Sequence, residues 1–246
     1  MIIPSQVSQA QVIFVNHSGG KDSQAMLAML VRLGFMGKLV VVHSDLGDME
    51  WEPMHGFIAA NSFGLPCHVV KPREDFFELC HRYKRLPSGQ ARFCTSELKT
   101  RPIGDWIKAY MTEHGYTHAI NAIGIRSQES LARSKKLPLQ ASKLSAPSKN
   151  RHVTEWYPIF DYSLEQVWSE IAQANQAPHV IYSKGFSRLS CVFCVFGRVN
   201  EHAMAKEARP ELFDRMAKLE RDLGKTIRTR QVNGAKLPKY LDESYA

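Results

Sequence analysis

Six residues, Ser18 to Ser23, constrain the fold more than any other part of this chain; they read Ser-Gly-Gly-Lys-Asp-Ser. The apolar run Val12–Val15 precedes them as a predicted buried strand, and apolar residues recur on one helical face from Asp22 to Leu33. Adjacent glycines let successive backbone N–H groups converge on an anion, and a helix beginning there adds the positive end of its dipole. The sequence therefore predicts a phosphate-binding loop between a strand and a helix, which is typical of α/β folds.

Each side chain of this loop suits phosphate binding. The hydroxyls of Ser18 and Ser23 can donate hydrogen bonds, and the Lys21 ammonium can neutralise phosphate charge. The Asp22 carboxylate can hold Mg²⁺ on the phosphates. The order of residues differs from the Walker A pattern GxxxxGK[ST]. The predicted ligand-binding residues of the loop are Ser18, Gly19, Gly20, Lys21, Asp22 and Ser23.

The first half of the chain alternates β-rich runs with amphipathic segments, which is the pattern of βαβ units and a parallel sheet. Further strands are predicted at Leu39–Val42, His68–Val70, His118–Ile123 and Trp156–Ile159. Further helices are predicted at Met54–Phe63, Pro102–His114, after a capping box of Ser163 and Gln166, and at Glu201–Leu223. We expect an open, mostly parallel five-stranded sheet flanked by helices, with a small helical C-terminal appendage.

Two segments lack a clear periodic pattern of apolar residues. Residues 133–151 are rich in Ser, Lys, Pro and Asn, which predicts a mobile loop. The basic tail from Lys225 is weakly patterned and receives no predicted structure. The expected division is a catalytic domain over residues 1–197 and an extension over residues 198–246.

Composition narrows the class of protein. Of the 246 residues, 44% are hydrophobic and 23% charged, which is ordinary for a globular chain. No apolar run approaches the roughly 18–20 residues that a bilayer span needs, and the first ten residues do not resemble an export signal. We therefore expect a cytoplasmic protein that does not bind membranes.

The net charge of +8 favours polyanionic partners. Seven Lys or Arg residues lie between Arg126 and Arg151, against the single acid Glu129. Nucleic-acid contact and closure over ATP are both compatible with this segment. A second basic set, from Arg209 to Arg230, is interspersed with acids, which favours a solvated helix face.

The five cysteines, an odd number, indicate metal, cluster or redox chemistry in a reducing compartment rather than a disulfide framework. Cys191-x-x-Cys194 with Cys94 supplies three thiolates that only folding can bring together. An iron–sulfur cluster, a zinc ion and no metal all remain open for these three. A fourth zinc ligand would come from His202, His81 or His17. Cys67 and Cys80 lie in apolar-periodic segments and are predicted to be core residues.

The loop resembles the SGGxDS signature of the N-type, or PP-loop, ATP pyrophosphatases. Further blocks of this sequence resemble the phosphoadenosine phosphosulfate (PAPS) reductase family, and together they cover most of residues 11–197. These blocks are Arg92–Thr95 with Lys99, Gly124–Arg126 with Glu129, Ser130 and Arg133, Tyr157–Ile159, Val167–Trp168, Tyr182, Gly185–Phe186 and Cys191–Cys194. The combination of an intact loop and three cysteines is most similar to the DndC-like proteins of DNA phosphorothioation.

The resemblance implies an activity and its residues. ATP is expected to be cleaved between the α and β phosphates, with pyrophosphate leaving against the loop and AMP passing to a substrate oxygen. Lys21, Asp22, Arg126 and Lys99 are the implied catalytic residues, and Asp45 and Gly124 join the loop and Arg126 in binding the nucleotide. Arg126 follows a predicted strand, at the edge where open α/β sheets bind ligands. The implied cofactors are ATP with Mg²⁺, and a [4Fe–4S] cluster or, alternatively, zinc at Cys94, Cys191 and Cys194.

Three functions are consistent with these features. The first is an ATP α-hydrolase that adenylates a substrate, such as a nucleic acid or nucleotide, for sulfur transfer from a donor protein. The second is a sulfonucleotide reductase that forms sulfite; such enzymes attack with a cysteine near the C-terminus, whereas no cysteine follows Cys194 here. The third is a non-catalytic nucleotide- or nucleic-acid-binding module. The sequence is compatible with a monomer or an oligomer.

Overall fold

The computed structural model describes residues 3–51, 54–232 and 235–241. A six-stranded sheet has the strand order β3-β2-β1-β4-β6-β5. Its strands are β1 (Val12–Asn16), β2 (Leu39–Ser44), β3 (Cys67–Val70), β4 (His118–Ile123), β5 (Leu139–Ala141) and β6 (His152–Trp156). Only β5 pairs in an antiparallel manner, with β6. The predicted α/β class and mostly parallel sheet are confirmed, with six strands instead of five.

The helices that flank and follow the sheet are α1 (Ser5–Gln9), α2 (Lys21–Arg32), α3 (Met54–Ala60), α4 (Phe76–Tyr83), α5 (Phe93–Thr95), α6 (Arg101–Glu113), α7 (Leu131–Ser134), α8 (Leu164–Gln173), α9 (Val199–Ala208) and α10 (Pro210–Leu223). The predicted capping box opens α8: the Ser163 hydroxyl accepts the Gln166 N–H at 3.2 Å, and the Gln166 side chain accepts the Ser163 N–H at 2.8 Å. Two of the four orphan donors of this helix end are thereby satisfied.

The sheet is buried on both faces, as its apolar strands predict. Ile13 and Val15 of β1 pack with apolar residues of α2 and α8 on one face. Val12 and Phe14, whose side chains alternate with these, pack with Ile107 and other residues of α6 on the opposite face. Burial on both sides fixes β1 in the middle of the sheet and so fixes the loop that follows it.

Two predictions around the last sheet strands were wrong. The fifth parallel strand is His152–Trp156, so the predicted strand Trp156–Ile159 overlaps it only at Trp156. The strand does not continue to Ile159, because Pro158 has no N–H to donate to a neighbouring strand. The segment 133–151 is not only a loop, since it contains the edge strand β5 and a single 3₁₀ turn, Pro147–Lys149. Antiparallel pairing with β6 gives Leu139–Ala141 an order that its weak periodicity did not indicate.

The C-terminal segment also differs from its prediction. The helix expected over residues 201–223 is two helices, α9 and α10, because Pro210 starts a new helix after Arg209 leaves helical geometry, with φ −138° and ψ 62°. The tail contains an antiparallel pair, β7 (Arg228–Val232) and β8 (Ala235–Lys239). The buried Glu220 carboxylate accepts the N–H groups of Ile227 at 2.8 Å and Leu241 at 2.7 Å, which ties the base of this hairpin to α10.

The chain forms two compact units. The first comprises residues 1–45, 53–70 and 103–189 and contains the six-stranded sheet. The second comprises residues 46–52, 71–102 and 190–246 and contains α4, α5, α9, α10 and the hairpin. The predicted boundary at residue 197 stays a prediction. Within the described ranges, none of the helices combines the length and apolarity that crossing a bilayer requires.

Candidate functional site

The loop Ser18–Ser23 lies at the carboxyl end of β1, where α2 begins. From β1 the chain adds β2 and β3 on one side of the sheet and then returns to add β4 on the other. The gap between β1 and β4 is therefore a topological switch point, the position at which open α/β sheets bind ligands. The predicted phosphate loop is thus placed where this architecture provides a crevice.

Two glycines allow close packing around the loop. A Cβ on Gly124 would lie 2.9 Å from the backbone carbon and oxygen of Asp22, so the chain leaving β4 approaches the first turn of α2 more closely than a larger residue permits. Gly19 has φ +75°, and a Cβ there would lie 2.0 Å from Cε of Met54. Both glycines are required by the backbone; their contact with a nucleotide stays a prediction.

Half of the loop's backbone N–H groups are already bonded within the protein. The Ser18 N–H donates to the Ser23 hydroxyl at 3.2 Å, and the Gly19 N–H donates to Nδ1 of His17 at 3.0 Å. The Lys21 N–H donates to the hydroxyl oxygen of Tyr182 at 2.9 Å.

The other N–H groups, those of Gly20, Asp22 and Ser23, have no hydrogen-bond partner in the part of the chain that the structure describes. The N–H groups of a first helical turn cannot bond within their own helix. We call these three the open amides, because no acceptor of the described chain bonds them and they lie at the start of α2, the end of a helix that attracts anions.

His17 organises the loop, a role that the sequence did not reveal. The residue is 2% exposed, and burial, with a smaller effect of His43, lowers its pKa to about 3. The ring is therefore neutral near pH 7, which keeps Nδ1 an acceptor for the Gly19 N–H. His17 is one of the three histidines predicted as a fourth zinc ligand, and its Nδ1 is engaged by the loop.

Three predicted catalytic residues form one ion group. Nε of Arg126 lies 2.6 Å from Oδ1 of Asp22, and Nζ of Lys21 lies 3.3 Å from Oδ2 of the same carboxylate. The Asp22 side chain is 17% exposed, and those of Lys21 and Arg126 are 7% and 8% exposed. Two cations are thereby held beside the open amides, on a carboxylate shielded from bulk solvent.

The same carboxylate fits the expected magnesium role. Each Asp22 oxygen has a lone pair beyond the one that faces a cation. Mg²⁺ in proteins is commonly bound by one or two carboxylates together with substrate phosphates and water. Asp22 therefore suits an ion that arrives with a triphosphate rather than one held by the protein alone.

Asp45, predicted to lie near adenosine, is half-buried directly after β2. Its N–H donates to the carbonyl of Val70 at 2.9 Å, which continues the pairing of β2 with β3. Because β2 is the parallel neighbour of β1, Asp45 and the loop lie at the same edge of the sheet. The contact of Asp45 with adenosine stays a prediction.

Tyr182 is a further residue at the loop that was not predicted as part of the site. Its hydroxyl oxygen accepts the N–H of Lys21 at 2.9 Å and that of Leu189 at 3.2 Å. Its ring centroid lies 5.4 Å from Nζ of Lys21. Burial raises the pKa of Tyr182 to about 12, so the hydroxyl is neutral near pH 7. A separation of 161 residues from Lys21 leaves no local sequence signal for this contact.

The second unit contains the three predicted cysteines and Lys99. The thiols of Cys191, Cys194 and Cys94 raise the pKa of Lys99, most strongly through Cys191, against an opposing effect of burial. Burial raises the pKa values of Cys191 and Cys94, and Lys99 opposes both shifts. These mutual effects place the three thiols and one ammonium in one neighbourhood. Lys99 lies on a π-helical turn, Ser96–Thr100, a helix form often found at functional sites.

The thiols supply donors suited to a cluster or zinc, but they are not assembled around a metal. Across the described ranges, no three His, Cys, Asp or Glu side chains are arranged to hold a metal ion. Nε2 of His202 lies 2.8 Å from the carbonyl oxygen of Cys194, so this histidine contacts the backbone of the Cys-x-x-Cys turn. His81 is exposed.

The other two cysteines, Cys67 and Cys80, pack in apolar surroundings and differ in how deeply they are buried. Cys80 is fully buried, and burial raises its pKa to about 12. Cys67 is half-buried on β3, packs against the core, and has its pKa raised to about 11 by burial. Raised thiol pKa values disfavour the reactive thiolate.

Several cations of the basic sets contact the protein itself. Arg133 pairs with Glu129, and Lys136 donates to the Tyr157 hydroxyl at 3.1 Å. In the second unit, Arg209 donates to the carbonyl of Glu50 at 2.7 Å. These contacts explain part of the basic charge without a nucleic acid.

Residues 12–196 match the family model described as the phosphoadenosine phosphosulfate reductase domain. An uncharacterized 37.8 kDa protein of Escherichia phage 186 is 32% identical over 164 residues, which cover 66% of this chain and 48% of that protein. An uncharacterized protein of Methanocaldococcus jannaschii is 29% identical over 205 residues, which cover 82% of this chain and 46% of that protein. The chain spans about half the length of these curated relatives.

Solved structures of similar fold include a PAPS reductase from Candida auris in a phosphate complex, with TM-score 0.49, 13% identity and coverage of 75% of this chain and 83% of that one. Another is an FMN adenylyltransferase from Candida glabrata in complex with FAD and inorganic pyrophosphate. Its TM-score is 0.47 and its sequence identity 18%, and the match covers 76% of this chain and 57% of that one. Neither similarity is high enough to transfer a site residue.

Proposed function

Because the chain belongs to the phosphoadenosine phosphosulfate reductase domain family, within the PP-loop ATP pyrophosphatases, we propose that it cleaves ATP between the α and β phosphates. AMP is transferred to a substrate oxygen and pyrophosphate is released. One observation carries the proposal: the ion group of Lys21, Asp22 and Arg126 lies beside three open amides at the start of α2. This arrangement suits a polyphosphate better than an uncharged ligand.

Each group has a distinct task in the proposed reaction. The N–H groups of Gly20, Asp22 and Ser23 bind the β and γ phosphates, whose charge increases as the bond to the α phosphorus breaks. The Arg126 guanidinium stabilises the α phosphate while the substrate oxygen attacks it, and the Lys21 ammonium neutralises the departing pyrophosphate. Mg²⁺, when bound with the nucleotide, shields phosphate charge, and Asp22 orients it.

We also propose that the three thiols serve sulfur transfer, with an iron–sulfur cluster as the preferred occupant and zinc as the alternative. Cys94, Cys191 and Cys194 would hold the metal, and a cluster on these three thiolates would supply an iron for sulfide or substrate binding. Lys99 supplies positive charge to this anionic group, which the effect of the thiols on its pKa supports. A sulfur-donor protein and a nucleic-acid or nucleotide acceptor are the proposed partners, in the cytoplasm.

The test is a product assay on the full chain. ATP labelled on the α or the γ phosphate is incubated with Mg²⁺ and with nucleic acid or nucleotides as acceptors. We expect AMP, free or attached to the acceptor, and pyrophosphate in equal amounts. Asp22→Asn should abolish both, whereas Asp105→Asn, which removes an exposed carboxylate 2.5 Å from Lys108, should not. Release of inorganic phosphate with ADP would exclude α-phosphate chemistry.

The family match also supports a second candidate, a sulfonucleotide reductase. Such an enzyme would form sulfite from PAPS, or from its analogue without the 3′-phosphate, at the expense of a thiol reductant and without ATP. Sulfite formation that survives Asp22→Asn and is lost in one Cys→Ser variant would favour the reductase. Pyrophosphate release from ATP in the absence of a sulfonucleotide would favour the adenylating enzyme.

A further inference from the structure

Residues 182–189, which we call the strap, cover the phosphate loop from one side. The Tyr182 hydroxyl oxygen accepts the Lys21 N–H, and the Ser187 carbonyl accepts a hydrogen bond from Nζ of Lys21 at 3.1 Å. Leu189 lies against both glycines of the loop, since its side chain would be 3.3 Å from a Cβ on Gly19 and 3.8 Å from one on Gly20. The backbone N–H and the ammonium of Lys21 thus each donate one hydrogen bond to the strap.

One oxygen joins the strap to the loop. The Tyr182 hydroxyl oxygen receives the N–H groups of both Lys21 and Leu189, one from each segment. The Tyr182 ring is held independently, by edge contact with Trp168 at 5.2 Å. The hydroxyl therefore bridges the strap and the loop, in addition to the Ser187 hydrogen bond and the packing of Leu189, whereas the ring has packing of its own.

The groups that the strap offers to Lys21 are weak competitors of a phosphate. A neutral phenol oxygen accepts the Lys21 N–H, and a neutral carbonyl accepts its ammonium. For the Lys21 N–H, a charge-assisted hydrogen bond to an anionic oxygen is roughly twice as strong as one between neutral groups. For the ammonium, an anionic oxygen adds an ion pair that the Ser187 carbonyl does not provide. An arriving polyphosphate can consequently replace both contacts with stronger ones.

We propose that the Tyr182 hydroxyl occupies the position of a phosphate oxygen on the Lys21 N–H, and that nucleotide binding displaces it together with the strap. This inference rests on the proposed function for the location of the nucleotide. The displacement makes Tyr182 a residue that sets nucleotide affinity. If the nucleotide binds only when the strap is displaced, the apparent dissociation constant is the intrinsic constant divided by the fraction of protein in that open state.

The first experiment is equilibrium binding of Mg·ATP, measured by calorimetry on the full chain. Tyr182→Phe keeps the ring and removes the competing oxygen, so its dissociation constant should be lower than that of the wild type by about fivefold. The matched control is Tyr162→Phe, which removes a hydroxyl that contacts Glu170 at 3.1 Å instead of the loop; its affinity should be unchanged. An unchanged or weaker affinity in Tyr182→Phe overturns the proposal.

The second experiment needs no variant. Hydrogen–deuterium exchange of the wild type, with and without Mg·ATP, follows the Leu189 amide, whose acceptor is the Tyr182 oxygen. Displacement predicts faster exchange at Leu189 when ATP is bound, and slower or unchanged exchange overturns the proposal. If ATP binds and frees Leu189 but no pyrophosphate is released with any acceptor, the proposed function fails and the displacement stands. If ATP does not bind at all, both fail.

Discussion

Oδ1 of Asp22 lies 2.6 Å from Nε of Arg126, although 104 residues separate them in the chain. Asp22 is on the first turn of α2, and Arg126 follows β4, so the pair spans the switch point of the sheet. The carboxylate fixes the guanidinium before any ligand arrives, which reduces the reorganisation that a developing phosphate charge would require.

Arg126→Lys tests whether catalysis requires the shape of the guanidinium group in addition to its positive charge. A lysine keeps the positive charge but lacks the planar fork of donors that can contact Asp22 and a phosphate at once. We expect kcat for pyrophosphate release to fall by about a hundredfold, on the scale of losing one transition-state donor. Arg133→Lys, which alters the pair with Glu129, is the control and should stay near wild type. Activity of Arg126→Lys within threefold of wild type would show that charge alone suffices.

Gly124→Ala tests the close approach of β4 to the loop. The added Cβ would lie 2.9 Å from the Asp22 backbone, which cannot move as a flexible side chain can. The free energy of unfolding should fall by about 1–3 kcal/mol, as for overpacking elsewhere. Thermal unfolding measures this, with Gly37→Ala as control because nothing lies within 4 Å of its added Cβ. Equal melting temperatures for the two variants would contradict the packing argument.

Much of the fold was predictable because it depends on local patterns. The apolar run before Ser18 and the helical period after it specify β1, the loop and α2 without reference to the rest of the chain. The strand β5 was missed because its three residues are ordered by pairing with β6 and not by a period of their own. Pro210 divides the last helix, and a helical period that continues on both sides concealed that break.

The charged residues of the candidate site were predictable from the sequence, whereas the neutral hydrogen-bond acceptors around the loop were not. Lys21, Asp22 and Arg126 were identified from the loop and the family resemblance, and the structure brings them together. Tyr182 and His17 were missed as loop contacts, because a phenol oxygen or an imidazole nitrogen that accepts a backbone N–H leaves no sequence pattern. The catalytic role predicted for Lys99 stays a prediction, and only folding shows that its neighbours are thiols.

His17 predicts how stability depends on pH. Its pKa is about 3 in the folded protein and 6.5 in the unfolded chain, so the unfolded chain binds the proton first as pH falls. The contribution is fully present above pH 6.5 and is lost toward pH 3, at a rate of up to about 1.4 kcal/mol per pH unit. His17→Asn keeps an acceptor for Gly19 and should flatten this slope in denaturant titrations. His81→Asn, at an exposed site, should retain the slope; an identical slope in all three proteins would contradict the assignment.

If the three-cysteine site binds a metal, metal binding should require the thiols of Cys94, Cys191 and Cys194 and not those of the other cysteines. Protein purified without oxygen should be brown, absorb broadly near roughly 400 nm and contain iron if a cluster is bound. Cys94→Ser or Cys191→Ser should abolish the colour and the iron. Cys67→Ser, at a core thiol with a pKa raised to about 11, should preserve both. Colourless protein with one zinc per chain would favour the alternative occupant, and protein free of metal would contradict both.

A crystal structure with Mg²⁺ and a non-hydrolysable ATP analogue tests the central claim most directly. We predict that the β and γ phosphates lie within hydrogen-bonding distance of the N–H groups of Gly20, Asp22 and Ser23, with the Lys21 ammonium on the phosphates and Arg126 at the α phosphate. A triphosphate bound elsewhere, with the loop N–H groups of Gly20, Asp22 and Ser23 still empty, would contradict the proposed chemistry.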